Sequence, residues 1–199
     1  MKTICLLIVI LMMANTQQDS CYEVDPKDPP RNKEKIRLIY HSGWTEQLVV
    51  AKPKGNRPQP QEYMNQEYID QHLKYFRYGA SFIITTAWLD NNGREFIGNK
   101  NGIFVIPKSQ MDQLLKTANG NLSIVERNLG VTPGGWQFRR LSRIDVPFPE
   151  KFGVRMPTGN EVGANQYWRP GGVLPNGLLE AVIDMVPKID YQEFQLNLQ

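Results

Sequence analysis

The segment from Arg155 to Gly172 gathers more groups able to do chemistry than any other part of the chain. Glu161 has the side chain of a general acid, a general base or a stabiliser of a developing cation. Arg155 presents a planar fork that can hold a carboxylate or a phosphate through two bonds. Asn160 and Asn165 each offer a donor and an acceptor, which suits them to orienting a ligand. Tyr167 and Trp168 can stack on a planar ring. Gly159, Gly163, Gly171, Gly172 and, just beyond, Gly177 permit tight turns, so the segment reads as a loop. Loops of this kind commonly carry sites on a rigid scaffold. The same residues also admit a purely structural reading. The glycines and asparagines then shape turns, Trp168 belongs to the core, and Arg155 pairs with Glu161. Glu180 carries the same two readings.

His41 is a second candidate. Ile36 to Tyr40 alternates in the manner of a strand, and Tyr40-His41-Ser42-Gly43 follows at its end. The layout is loosely similar to one in some enzymes that use nicotinamide dinucleotide. There a strand ends in an aromatic residue, a histidine and a small residue, and the imidazole reaches a ribose. The alternative is a solvent-facing or structurally bonded imidazole. His72 sits in a helix-like segment and reads as surface or packing.

Other chemistries lack their residues. Two histidines, with Cys21 the one cysteine expected to be retained, argue against a zinc site, so no metal is expected. No Gly-x-Ser-x-Gly elbow, phosphate-binding Gly-Lys-Ser/Thr loop, Rossmann glycine fingerprint or EF-hand loop occurs. The net charge is only +3, and the arginines at 139, 140 and 143, like Lys52, Lys54 and Arg57, form no dense basic cluster. That footprint argues against nucleic acid as a partner.

The elements that must position these groups begin with a leader. Lys2 and the apolar run from Cys5 to Met13, followed by polar residues, have the layout of a secretory signal peptide and are too short to span a bilayer. Residues 1–20 are therefore expected to be removed, with cleavage between Ala14 and Ser20, and the protein to act outside the cell. Cys21 would then be the remaining thiol, open to a disulfide with a partner chain, to a free state or to loss by trimming. Residues 21–35 are charged and rich in proline and read as an extended arm. Residues 36–199 suffice for one domain.

Within that domain, residues 52–61 read as an open loop and 66–76 as a short helix with Ile69, Leu73 and Phe76 inward. Ser81 to Trp88 reads as a strand, rich in β-branched residues. Asp90-Asn91-Asn92-Gly93 then reads as a hairpin turn into residues 94–97. Gly102 to Ile106 gives another strand. Ser109 is the expected cap of one helix, ended by Asn119-Gly120. Ser123 with Glu126 matches a capping box for a second helix, ended by Gly130. Trp136 to Val146 is expected to be extended, and Ala181 to Ile183 to form a short strand. The tail after Tyr191 should be frayed or packed at an edge. The expectation is α+β: a small sheet of short strands with two or three short helices, in a single domain.

Between Gly102 and Pro187 the chain resembles C-terminal toxin modules of bacterial polymorphic toxins, the variable ends of Rhs-repeat and filamentous-haemagglutinin-type proteins. The resemblance lies in Ile106-Pro107-Lys108-Ser109, Asn119-Gly120, Glu126-Arg127-Asn128-Leu129-Gly130 and Arg143-Ile144-Asp145-Val146-Pro147. Its most specific part is Arg155-Met156-Pro157-Thr158-Gly159-Asn160-Glu161 with Gly163-Ala164-Asn165, Pro170-Gly171-Gly172 and Glu180-Ala181-Val182. Many effector modules of that broad class act on dinucleotide cofactors by ADP-ribosyl transfer or glycohydrolysis, and others cleave RNA or DNA. Those modules end very large delivery proteins, whereas here the module follows its own expected signal peptide. That arrangement implies a free-standing secreted toxin, for example a venom or defence component. The resemblance assigns this module type no particular reaction; NAD is one candidate substrate, and no tightly held cofactor is expected. In that reading Glu161 would stabilise an oxocarbenium-like ribose, Arg155 hold pyrophosphate, His41 touch the adjacent ribose, and Tyr167 or Trp168 stack on a ring. The rivals are a nuclease-type toxin using His41 or Glu161 with Arg139 and Arg140, and a non-enzymatic secreted binder.

Overall fold

The computed structural model describes residues 40–199. The expected signal peptide, the arm with Cys21 and most of the first expected strand lie outside the described residues. Tyr40 alone of that strand is described, in a bridge with Met64.

Three short helices come first: α1 (Glu46–Val50), α2 (Pro60–Tyr63) and α3 (Gln66–Lys74). Asn65 caps α3 by accepting from the backbone N–H of Glu67. The chain then enters β1 (Ala80–Thr85), α4 (Thr86–Asn92), β2 (Phe96–Ile97) and β3 (Ile103–Pro107). Two helices, α5 (Lys108–Ala118) and α6 (Leu122–Asn128), lead to β4 (Leu141–Val146). The strands β5 (Ala181–Ile183), β6 (Val186–Pro187) and β7 (Gln192–Leu196) close the chain. The main sheet has the order β5-β3-β1-β4-β7, and each of its pairings is antiparallel. The architecture is α+β, with six α-helices among the described residues where two or three were expected.

Side chains on a strand alternate between the two faces of its sheet. One face carries Phe82, Val105, Ile144, Val146, Ala181 and Ile183. It packs with Phe76, Leu89, Ile97, Val186 and Tyr191 in the largest buried cluster. The other face carries Ile83, which joins Leu114, Ala118 and Val125 of the helical pair α5–α6. A third cluster sets Val49, Tyr63, Tyr68 and Ile69 against Met156 and Trp168. It seats the loop between Phe152 and β5 on the first three helices. On the helical side Arg143 bridges Asp112 of α5 and Asp145 of its own strand, each at 2.6 Å. Ser81 Oγ donates to Asp145 at 2.7 Å, so β1, β4 and α5 are tied in one polar array.

Five local expectations are corrected. The expected strand over 81–88 stops at Thr85, whose hydroxyl accepts from the N–H of Trp88 and caps α4. Asp90 to Gly93 therefore ends a helix and makes no hairpin. β2 pairs with distant β6, Phe96 opposite Pro187 and Ile97 opposite Val186. Ser109 does not cap α5, which starts one residue earlier behind Pro107 and has no side-chain cap. Nor do Ser123 and Glu126 form a capping box. Asn121 caps α6 through Ile124 N–H, and Glu126 turns inward to accept from the N–H groups of Gly134 at 2.9 Å and Trp136 at 2.7 Å. That pull folds residues 133–138 into turns, so the extended stretch starts at Leu141 rather than Trp136. The tail, by contrast, is the edge strand β7, paired along β4.

Candidate functional site: a cavity around Glu180

A cavity of about 350 Å³ lies on the helical side of the sheet. Its floor is β1 and β3, from Ser81 to Ile84 and from Ile103 to Ile106. The turn at Leu129 to Val131, Trp136, and the loop from Gly163 to Trp168 form its walls. Most of the lining is apolar. The polar side chains that reach it include Asn99, Asn165, Tyr167 and Glu180.

Glu180 is held from both directions along its backbone. Its N–H donates to Gly172 O at 2.6 Å. Its carbonyl accepts from His72 Nε2 at 2.8 Å. Next to it, the N–H of Leu179 donates to the buried side chain of Gln110 on α5. With the backbone so fixed, the carboxyl faces the cavity, and among the described residues it has no hydrogen-bond or ion-pair partner. Burial pushes this carboxyl up to about 7, and the nearby Glu161 carboxylate adds to the rise. The group therefore exchanges its proton near neutral pH, as an acid–base catalyst must.

His72 is fully buried, and burial moves its imidazole down to about 4 against a smaller opposing effect of the Glu180 carbonyl. A neutral ring that bonds a carbonyl through Nε2 carries its proton there. Nδ1 is then left as a buried acceptor without a partner. Gly172 makes this close approach feasible. Its φ is +63°, and a Cβ there would sit 2.7 Å from Glu180 O and 3.1 Å from the His72 ring.

Of the residues singled out in the sequence, Asn165, Tyr167 and Trp168 line this cavity together with Glu180. Asn165 also donates to Gly130 O at 3.0 Å and accepts from Tyr167 N–H at 2.8 Å, which fixes two opposite walls. Trp168 is 4% exposed and lies under the Arg57 guanidinium, 4.4 Å from its ring centre. Its Nε1 has no partner.

The remaining four sit elsewhere. Glu161 is buried at the edge of the third cluster. Its oxygens accept from Thr158 N–H at 2.8 Å, Thr158 Oγ1 at 2.9 Å and Gly159 N–H at 2.8 Å. Its acceptor capacity is thus directed to its own turn. Asn160 accepts from Gly55 and Arg57 N–H and donates to Arg57 O, pinning the open loop of 52–59. Arg155 pairs with Asp184 at 2.8 Å, not with Glu161, and does not line the cavity. His41 is exposed, with Nδ1 donating to Glu62 O at 3.2 Å, and is also outside the lining. The structure therefore does not bring Glu161, Arg155 and His41 into one cleft.

No lysine, arginine or histidine lines the cavity among the described residues. An ionised Glu180 there has no cation to offset it, so a ligand bearing positive charge is favoured. Among the described residues, no three His, Cys, Asp or Glu side chains gather as metal ligands would. No family model, curated protein or solved structure matches this chain.

Proposed function

We propose that the chain is a secreted toxin enzyme that cleaves the nicotinamide–ribose bond of NAD, with the Glu180 cavity as its site. One observation carries this reading: a single carboxyl near neutrality, without a counter-ion, faces an apolar cavity walled by indole and phenol rings. The nicotinamide ring of NAD is planar and positively charged. Trp136 and Tyr167, which line the cavity, supply aromatic surface on which such a ring stacks. A carboxylate in a low-dielectric cavity attracts the pyridinium and, as the bond breaks, the positive charge that moves onto the ribose.

The C–N bond breaks with its electron pair going to nicotinamide, which leaves neutral. Ionised Glu180 stabilises the oxocarbenium-like ribose. A water then bonds to the ribose carbon, and its proton passes to Glu180 and on to solvent. The products are nicotinamide, ADP-ribose and a proton. An acceptor nucleophile in place of water would make the same site a transferase. The nuclease reading draws no support from this geometry, because Arg139 and Arg140 lie exposed on the turn before β4 and outside the cavity.

The test is to incubate the purified protein with NAD and quantify free nicotinamide, beside Glu180→Gln and Glu161→Gln. The reading expects release by the parent protein and by Glu161→Gln, and a loss of at least about a hundredfold in Glu180→Gln. No release by the parent protein overturns it, and undiminished release by Glu180→Gln removes Glu180 from its role.

A further inference from the structure

A second cavity, of about 330 Å³, adjoins the first. The two share Gly130, Val131 and Tyr167 in their linings. The inner one contains a carboxyl and no cation. The outer one reverses this, for its lining contains Arg127 and no acidic side chain. Arg127 is exposed and, among the described residues, makes no ion pair or side-chain hydrogen bond. Ser123 lies one helical turn before Arg127 on α6, so its hydroxyl and the guanidinium share a face of that helix, and both line the outer cavity.

Side-chain amides fix this outer wall. Asn176 Nδ2 donates to Asn128 O at 2.9 Å and to Asn128 Oδ1 at 2.6 Å, which ties the end of α6 to the loop that carries Pro175. Asn165 holds Gly130 O from the other side. The partition between the two cavities is thus anchored to both, and Tyr167 stands at it. Gly130 packs closely at this partition. Its φ is +65°, and a Cβ would meet Leu174 at 3.4 Å and Tyr167 at 3.6 Å.

We infer that the two cavities form one bipartite site, in which the outer cavity binds a phosphate of the ligand through Arg127 and Ser123 while the ring lies inside against Glu180. The inference rests on the proposed site and specifies its substrate class: a phosphorylated, ring-bearing molecule, with the phosphate beyond Tyr167. A guanidinium and a hydroxyl together give the forked, charge-assisted contacts that phosphate oxygens accept.

The experiment is calorimetric titration of the purified protein with nicotinamide riboside, nicotinamide mononucleotide and inorganic pyrophosphate at low salt. The mononucleotide should bind about tenfold tighter than the riboside. Arg127→Ala should remove that advantage and leave riboside binding unchanged, Arg127→Lys should keep part of it, and Ser123→Ala should reduce it. Equal binding of the two nicotinamide compounds, or an advantage that survives Arg127→Ala, overturns the inference. Failure of both nicotinamide compounds, with pyrophosphate binding that Arg127→Ala abolishes, overturns the NAD reading and keeps the phosphate subsite. Riboside binding without pyrophosphate binding does the reverse.

Discussion

His72 Nε2 lies 2.8 Å from the backbone carbonyl of Glu180, so the acid that faces the cavity is braced from behind by an imidazole that burial keeps neutral. The two groups titrate in opposite senses. His72 is lowered from 6.5 to about 4, and Glu180 is raised from 4.5 to about 7.

The first prediction concerns His72. Its folded value is depressed, so below pH 6.5 the unfolded chain binds the proton more readily. Its contribution is complete above pH 6.5 and is lost as pH falls toward 4. The size is on the order of 3 kcal/mol. His72→Gln keeps a donor for the Glu180 carbonyl but has no such titration. Urea unfolding at pH 7 and pH 4.5 should show the variant losing less stability on acidification than the parent.

Glu180 gives the opposite slope. Its folded value is raised, so the folded state holds the proton more tightly between pH 4.5 and 7. Stability falls as pH rises through that window and stays low above it. Glu180→Gln removes the loss. The variant should match the parent near pH 4 and exceed it at pH 8 by up to about 3 kcal/mol in denaturant melts. A variant less stable than the parent at pH 8 would show that the carboxylate has a partner after all.

The same titration sets the pH dependence of the proposed reaction. The ionised carboxylate is the form that stabilises the ribose cation, so nicotinamide release should rise with pH through about 7 and then level. Glu161 presses from one side, and Tyr167 lines the same cavity. Glu161→Gln removes a neighbouring negative charge, so the midpoint of the profile should move to lower pH. A profile that Glu161→Gln leaves in place would contradict the coupling.

Gly172→Ala should be costly. The residue has φ +63°, and the added Cβ would meet Glu180 O at 2.7 Å. Backbone strain and the clash together predict a loss of about 2 kcal/mol or more. The damage should extend to the site, because the Gly172 carbonyl receives the Glu180 N–H. Thermal melts together with nicotinamide binding would report both.

Asn160→Ala separates structure from site. It removes the bonds to Gly55, Arg57 N–H and Arg57 O, and frees the loop that holds the Arg57 guanidinium over Trp168. A stability loss of about 1–3 kcal/mol is expected. Riboside affinity should fall only as far as Trp168 loosens, within about threefold. A complete loss of binding would place Asn160 among the ligand contacts instead.

Much of the fold was legible from local pattern. The spacing of Ile69, Leu73 and Phe76 marked α3, the β-branched run from Ser81 marked β1, and Asn119-Gly120 marked the end of α5, where Asn119 takes a left-handed conformation. These signals are local, so they survive whatever the rest of the chain does. The loop character of 155–172 and its enrichment in polar and aromatic groups were also legible. What the sequence could not supply was direction. Glu161 and Glu180 are both glutamates beside glycine-rich turns, yet one accepts three bonds from its own turn and the other faces a cavity with none. Arg155 has Glu161 six residues away, but pairs with Asp184, brought beside it by the antiparallel bridge to Val182. Thr86 to Trp88 is rich enough in strand formers to continue β1, and becomes helix because Thr85 caps it and Leu89 is buried in the core. The residue types that can act as acids, stack on rings or pair with phosphate were set by the sequence. Which carboxylate keeps its proton near neutral pH was decided by the tertiary structure, because desolvation and the absence of a partner depend on what surrounds a group in space.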